Sequence, residues 1–159
     1  MLVLQMVLYG YALLLLLFLW MDSRANKGLY TKTAALFRRI IWVTMLVLIV
    51  EAVTFLVDQQ PGRGMYWLNW ISNSILFLII LAPLSLWLAY LDECILTDER
   101  EKKRKRIVYT AFNLIVAAIV VVNCFTGILF TIGDGNAYLR GPAVPGMMAL
   151  NGILFFGYL

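Results

Sequence analysis

The sequence predicts an all-α polytopic membrane protein with five transmembrane helices, an outside N-terminus and a small extracellular β-hairpin. Three observations predict it. Charges are absent from Met1–Met21, Gly64–Leu91, Ile107–Gly133 and Gly141–Leu159, and Ile40–Val57 carries only Glu51. A bilayer core needs about 20 apolar residues per spanning helix. The chain is 159 residues long and 63% hydrophobic, with a mean hydropathy of +0.87, so it makes one membrane domain over residues 1–159. Its basic residues are also unevenly shared among the connections.

Taken in order, the spans read as 2–21, 39–57, 65–91, 107–127 and 142–159. The first is too long for a signal-peptide core and has no basic residue before it, so it is a retained helix. The first connection holds Arg24, Lys27, Lys32, Arg38 and Arg39. The third holds Arg100, Lys102, Lys103, Arg104, Lys105 and Arg106. The second and fourth have only Arg63 and Arg140. The positive-inside rule then puts the first and third connections in the cytoplasm. Asp58-Gln59-Gln60-Pro61-Gly62 is a short turn, which makes spans two and three antiparallel neighbours. Span three exceeds what a bilayer needs, so it tilts or projects at Tyr90–Thr97, and Pro83 is its kink candidate. Trp20, Trp42, Tyr66, Trp67, Trp70 and Trp87 fall near the expected interfaces, as aromatic belts do. In the fourth connection, Ile128–Ile132 and Ala137–Arg140 flank the turn residues Gly133-Asp134-Gly135-Asn136, which predicts a hairpin pairing roughly Leu129–Ile132 with Ala137–Arg140. Span five, about 27 Å long if helical from Pro142 to Leu159, falls just short of the hydrocarbon thickness. The expectation is that the natural protein continues.

Polar residues inside the spans carry the functional reading. Glu51 lies about 17 Å from the inner end of its helix. At that depth a carboxylate must be paired, neutral or facing water. Asn69 and Asn73 share one face of span three, with Ser72 beside them. Asn151 lies at a depth like that of Asn73, and Asn123 near the outer edge. Glu51, Asn69, Asn73, Asn123 and Asn151 together form a candidate outward-facing ligand pocket under the hairpin. The alternative for the asparagines is interhelical hydrogen bonding. The inner half is plainer, with Asn113 and Ser85 as its main polar groups.

Much chemistry is absent from the sequence. With no histidine there is no serine–histidine or cysteine–histidine pair, and no glycine loop cradles phosphate. The expectation is no catalytic residue, no cofactor and no metal; Cys94 and Cys124 are placed for neither a disulfide nor zinc. The Asp134-Gly135-Asn136 stretch is too short for a calcium loop. The carboxylates of Asp92–Arg106 are expected to be flexible and solvated, and Lys102–Arg106 to anchor on anionic lipid. A net charge of +4 placed beside apolar spans gives no reason to expect nucleic acid.

Several motifs carry a resemblance: Asp58-Gln-Gln-Pro61-Gly62, Leu68-Asn69 with Asn73, Trp87-Leu-Ala-Tyr90-Leu-Asp92, Thr126-Gly127-Ile-Leu-Phe130-Thr-Ile132 and Asn136-Ala-Tyr138-Leu-Arg140-Gly141. In this order they resemble the N-terminal membrane sensory region of bacterial GGDEF diguanylate cyclases, which is similar to the seven-helix input domain of some histidine kinases. The likeness spans essentially the whole chain, and Asn-x-Tyr-x-Arg-Gly is its most specific part. The turn Gly133-Asp134-Gly135 departs from the more acidic run expected there. The resemblance implies a truncated seven-helix bundle in the bacterial plasma membrane. It also implies a hairpin motif of Asp134, Asn136, Tyr138, Arg140 and Gly141, and a downstream cytoplasmic domain making cyclic di-GMP. The partners expected are the lipid bilayer, a small ligand from the outer side, and a second copy paired through the output domain. Two other classes stay open: a small transporter subunit using Glu51 to carry a coupling proton and Pro83 to break a helix, and a non-catalytic scaffold.

Overall fold

A computed structural model describes residues 2–25 and 31–157. Met1, Lys27 with its neighbours in 26–30, and the last two residues of the expected fifth span lie outside them. The order is α1 (Leu2–Ala25), α2 (Lys32–Val57), α3 (Arg63–Ile79), α4 (Ala82–Ile95), α5 (Glu99–Thr126), β1 (Phe130–Ile132), β2 (Tyr138–Arg140) and α6 (Val144–Phe156). Four stretches are long and apolar enough to cross a bilayer: Val3–Ala25, Lys32–Val57, Arg63–Ile95 and Glu99–Thr126. The described α6 has 13 residues, about 20 Å, and is not among them.

Helix α2 is the hub, packed against α1, α3 and α4, while α5 packs against α3, α4 and α6. The side chains of Val3, Val7, Leu14 and Phe18 on α1 face outward. Such a surface suits lipid as solvent and would be a liability in water. The buried apolar core lies in two clusters. One, at the hairpin end, holds Leu81, Val116, Val120, Leu129, Phe130 and Met147. The other joins Leu88, Tyr109 and Leu154 at the charged end.

Three boundaries differ from the sequence expectation, each for a local reason. Helix α2 starts at Lys32 rather than at 39, because Thr31 caps it and its hydroxyl oxygen accepts the Ala34 N–H at 3.2 Å. The expected span 65–91 is two helices, α3 and α4, interrupted at Ile80–Leu81. Pro83 sits in the first turn of α4, where its missing N–H and its ring leave the Ile79 carbonyl without a helical partner. Helix α5 begins at Glu99 rather than 107, capped by Asp98, whose carboxylate accepts the Arg100 N–H at 2.9 Å.

That early start corrects the reading of Asp92–Arg106 as flexible and solvated. Asp92 and Lys102 are buried at 3% and 8% exposure. The Tyr109 hydroxyl donates to Asp92 Oδ2 at 2.6 Å, and Lys105 Nζ lies 3.4 Å from Oδ1. Lys102 Nζ reaches Glu93 at 3.4 Å and Glu99 at 2.9 Å. Helical spacing puts these groups on facing sides of α4 and α5, so opposite charges order the connection.

The hairpin has the expected strands: Phe130 pairs with Arg140, Thr131 with Leu139 and Ile132 with Tyr138, antiparallel. Its turn uses two successive left-handed residues, Gly135 at φ 68° and Asn136 at φ 63°. Asparagine tolerates that region better than most residues. Gly141 follows β2 directly and donates its N–H to the Leu129 carbonyl at 2.7 Å. A Cβ at Gly141 would collide with the Ile128 carbonyl, so only glycine allows the chain this close.

Candidate functional site

The hairpin is locked to the α2–α3 connection by Asn136. Its amide nitrogen donates to the Val57 carbonyl at 2.9 Å and the Gln60 carbonyl at 3.0 Å. Its backbone carbonyl accepts the Gln59 N–H at 3.0 Å and Asn69 Nδ2 at 3.0 Å. Asn69 Nδ2 also reaches Asn136 Oδ1 at 3.2 Å. One turn along α3, Asn73 Nδ2 donates to Asn69 Oδ1 at 2.7 Å. Asp58 at the end of α2 accepts the Tyr138 N–H at 2.8 Å. Asn69, Asn73 and Asn136 are all nearly fully buried. A buried polar group without a partner costs about 1–3 kcal/mol, so a network this complete fixes the hairpin's position.

Beside this lock lies a cavity of ≈ 230 Å³ between α2, α3 and the hairpin. Glu51, Thr54 and Phe55 line it from α2 with Asp58 just past its end, and Asn73, Leu76 and Phe77 from α3 with Ile80 at the break. Tyr138 closes it from β2. Its aromatic wall is continuous. Phe130, fully buried, stacks on Phe77 with ring centroids 5.7 Å apart and on Tyr138 at 5.8 Å. Burial pushes the Tyr138 hydroxyl above the ordinary tyrosine range, opposed by the nearby Arg140 charge, so it stays a neutral donor. Glu51 is half-buried. On its α1 side it meets Tyr9, whose hydroxyl interacts with the carboxyl and whose ring packs against Phe55 at 6.2 Å. Two carboxylate residues and no basic residue line the cavity.

Of the five asparagine and glutamate positions singled out from the sequence, the fold brings Glu51 and Asn73 to one cavity and places Asn69 in the lock behind it. Asn123 is used elsewhere. Its Oδ1 accepts the Leu129 and Phe130 N–H groups at 2.7 and 3.1 Å, guiding the chain into β1, while its Nδ2 is buried without a partner among the described residues. Asn151 is half-buried on α6 and does not line the cavity. In the hairpin motif, Asn136, Tyr138 and Gly141 are structural or cavity groups. Asp134 and Arg140 are exposed, and Arg140 contacts Met148 Sδ at 3.3 Å. Sequence reasoning missed Tyr9, Phe55 and Phe77. A signal for Tyr9 existed, since an outside N-terminus puts its hydroxyl near the depth of Glu51. No pattern marked the two phenylalanines among so many apolar neighbours.

At the opposite end, Asn113 Nδ2 donates to Ser85 Oγ at 2.7 Å, so the two inner-half polar groups satisfy each other. Cys94 and Cys124 are free thiols. No group of three or more His, Cys, Asp and Glu able to hold a metal occurs among the described residues. No family model, curated protein or solved structure matches this chain.

Proposed function

We propose that this chain is a membrane signal-input module. A small ligand enters the Glu51 cavity from the hairpin side, and its occupancy biases helix packing that controls a cytoplasmic output domain. The output implied by the motif resemblance is a diguanylate cyclase making cyclic di-GMP. One observation carries the reading: the cavity sits on α3, and α3 runs through the Pro83 break into α4, which holds the charged start of α5 through Asp92 and Glu93. A ligand that favours one α3 position therefore acts on packing that continues through α4 to the charged end. It shifts the equilibrium only by its differential affinity for the two arrangements.

The test uses the whole reading frame expressed in cells, with intracellular cyclic di-GMP as the readout against a panel of small stimuli. Glu51→Gln keeps side-chain size and hydrogen bonding but removes the charge. The expected result is normal insertion and an output that no longer follows the stimulus. Wild-type response from Glu51→Gln would remove Glu51 from the mechanism, and a reading frame with no output domain would remove the input role.

The α3–α4 break also favours a second reading, a transporter subunit in which Glu51 carries a coupling proton. Substrate-driven proton uptake into proteoliposomes, abolished in Glu51→Gln, would establish that reading over the first.

A further inference from the structure

A second, larger cavity of ≈ 560 Å³ lies at the charged end, between α2, α4 and α5. Its three walls are regular. From α2 come Lys32, Ala35, Leu36 and Arg39, spaced i, i+3, i+4, i+7. From α4 come Ala82, Ser85, Leu86 and Ala89 with the same spacing. From α5 come Arg106, Tyr109, Thr110 and Asn113, again one helical face. The alanines are too small to fill the space between the helices, so the cleft is built into the packing.

Its chemistry changes along its length. In the deep part the polar groups are already satisfied: Asn113 Nδ2 bonds Ser85 Oγ at 2.7 Å, and the Thr110 hydroxyl bonds the Arg106 carbonyl at 2.9 Å. What remains there is hydrocarbon from Leu36, Leu86 and the alanines. The mouth carries three cations, Lys32, Arg39 and Arg106, against one lining acid, Glu93, and Lys32 also lies 3.9 Å from the exposed Glu99. Glu93 is already shared between Lys102 at 3.4 Å and Arg106 at 3.9 Å. Arg39 pairs with no carboxylate among the described residues. A guanidinium on an apolar wall about two turns into α2 calls for an anion, and its planar fork suits phosphate oxygens.

We propose that this cleft is a stoichiometric binding site for one anionic phospholipid. Its phosphate sits at Arg39 with Lys32 and Arg106 beside it, and an acyl chain lies along the alanine-lined floor. An apolar floor with a cationic mouth matches an amphiphilic anion, which neither free phosphate nor a neutral lipid satisfies. The site differs from a general attraction of basic segments to an anionic surface, because its cations come from two helices and share one cavity. It is also independent of what fills the Glu51 cavity.

The experiment places the purified chain in vesicles of phosphatidylcholine alone, or of equal parts phosphatidylcholine and phosphatidylglycerol. Spin-labelled phosphatidylglycerol or phosphatidylcholine reports the immobilised lipid per chain. The expected result is one immobilised phosphatidylglycerol per chain in excess of phosphatidylcholine. Arg39→Gln should weaken that preference by about tenfold, as loss of a charge-assisted contact does. Ala89→Trp, which fills the floor, should abolish it. Arg104→Gln removes one exposed charge outside the cleft and should leave it intact. Equal losses from Arg39→Gln and Arg104→Gln would reduce the effect to surface electrostatics and overturn the site. Displacement of the lipid by inorganic phosphate alone would overturn the amphiphile. No lipid preference in the wild type, together with cross-linking between copies at Ala89→Cys in a Cys94→Ser, Cys124→Ser background, would assign the cleft to a second copy instead.

Discussion

At the residue scale, the polar network around Asn136 shows why buried amides here are specific. Asn136 points its nitrogen at two carbonyls 76 and 79 residues earlier in sequence, while its oxygen faces Asn69. Asn136→Ala would remove a donor from the Val57 carbonyl, which keeps the Gln60 N–H at 3.1 Å, and from the Gln60 carbonyl, and would leave Asn69 short of one acceptor. The side chain would also be replaced at a positive φ that alanine resists. The expected loss is on the order of 2 kcal/mol, from the lost side-chain hydrogen bonds together with the left-handed backbone. It should register as a lower midpoint of unfolding in detergent. Asp134, two residues earlier in the same turn, is exposed and stands outside this network. Asp134→Ala should therefore change stability by less than about 0.5 kcal/mol, as surface substitutions do. A small effect of Asn136→Ala would mean that the stacked Phe77, Phe130 and Tyr138 rings hold the hairpin without the amide.

At the scale of elements, apolar runs and turn chemistry made most of the fold legible. The four long apolar stretches follow from runs with little or no charge, and the hairpin from Gly133–Asn136 between short strands. Placing Asn69 and Asn73 on one face needed only helical spacing. Partnerships across the chain were not legible: nothing local in Asp58 or Asn136 says that the two turns touch. Residues Asp92–Arg106 misled for a related reason. A run of mixed charge has the composition of a solvated loop, yet opposite signs at helical spacing on two facing helices neutralise and order one another. Pro83 was legible as a kink, but its consequence is a full break with Leu81 buried at the joint. If the proline causes the break, Pro83→Ala should restore the backbone bond and straighten Arg63–Ile95. Spin labels at Trp67→Cys and Cys94, with Cys124→Ser, would then move apart toward the roughly 40 Å of a continuous helix. An unchanged distance would make packing around Leu81, and not Pro83, the cause.

For the whole molecule, the two ends of the bundle have opposite character. The hairpin end is held by neutral amides and carries the acid-lined cavity. The other end is held by ion pairs and gathers ten of the described basic residues, Arg24 at the end of α1, Lys32, Arg38 and Arg39 in the first turns of α2, and the six of Arg100–Arg106 in α5. A bilayer with an anionic inner face and a translocation bias against lysine and arginine would orient such a molecule one way, with the hairpin outside. Thiol labelling of intact cells tests this. Cys124 is exposed and would confuse the result, so the background carries Cys124→Ser. A cysteine at Asp134, an exposed turn position with no unusual backbone demand, should react from outside with a reagent that cannot cross membranes. Cys94, exposed near the end of α4, should react only after permeabilisation. Labelling of Cys94 in intact cells, with Asp134→Cys protected, would invert the molecule. It would place the Glu51 cavity toward the cytoplasm and remove the outside ligand from the proposed mechanism, leaving the fold unchanged.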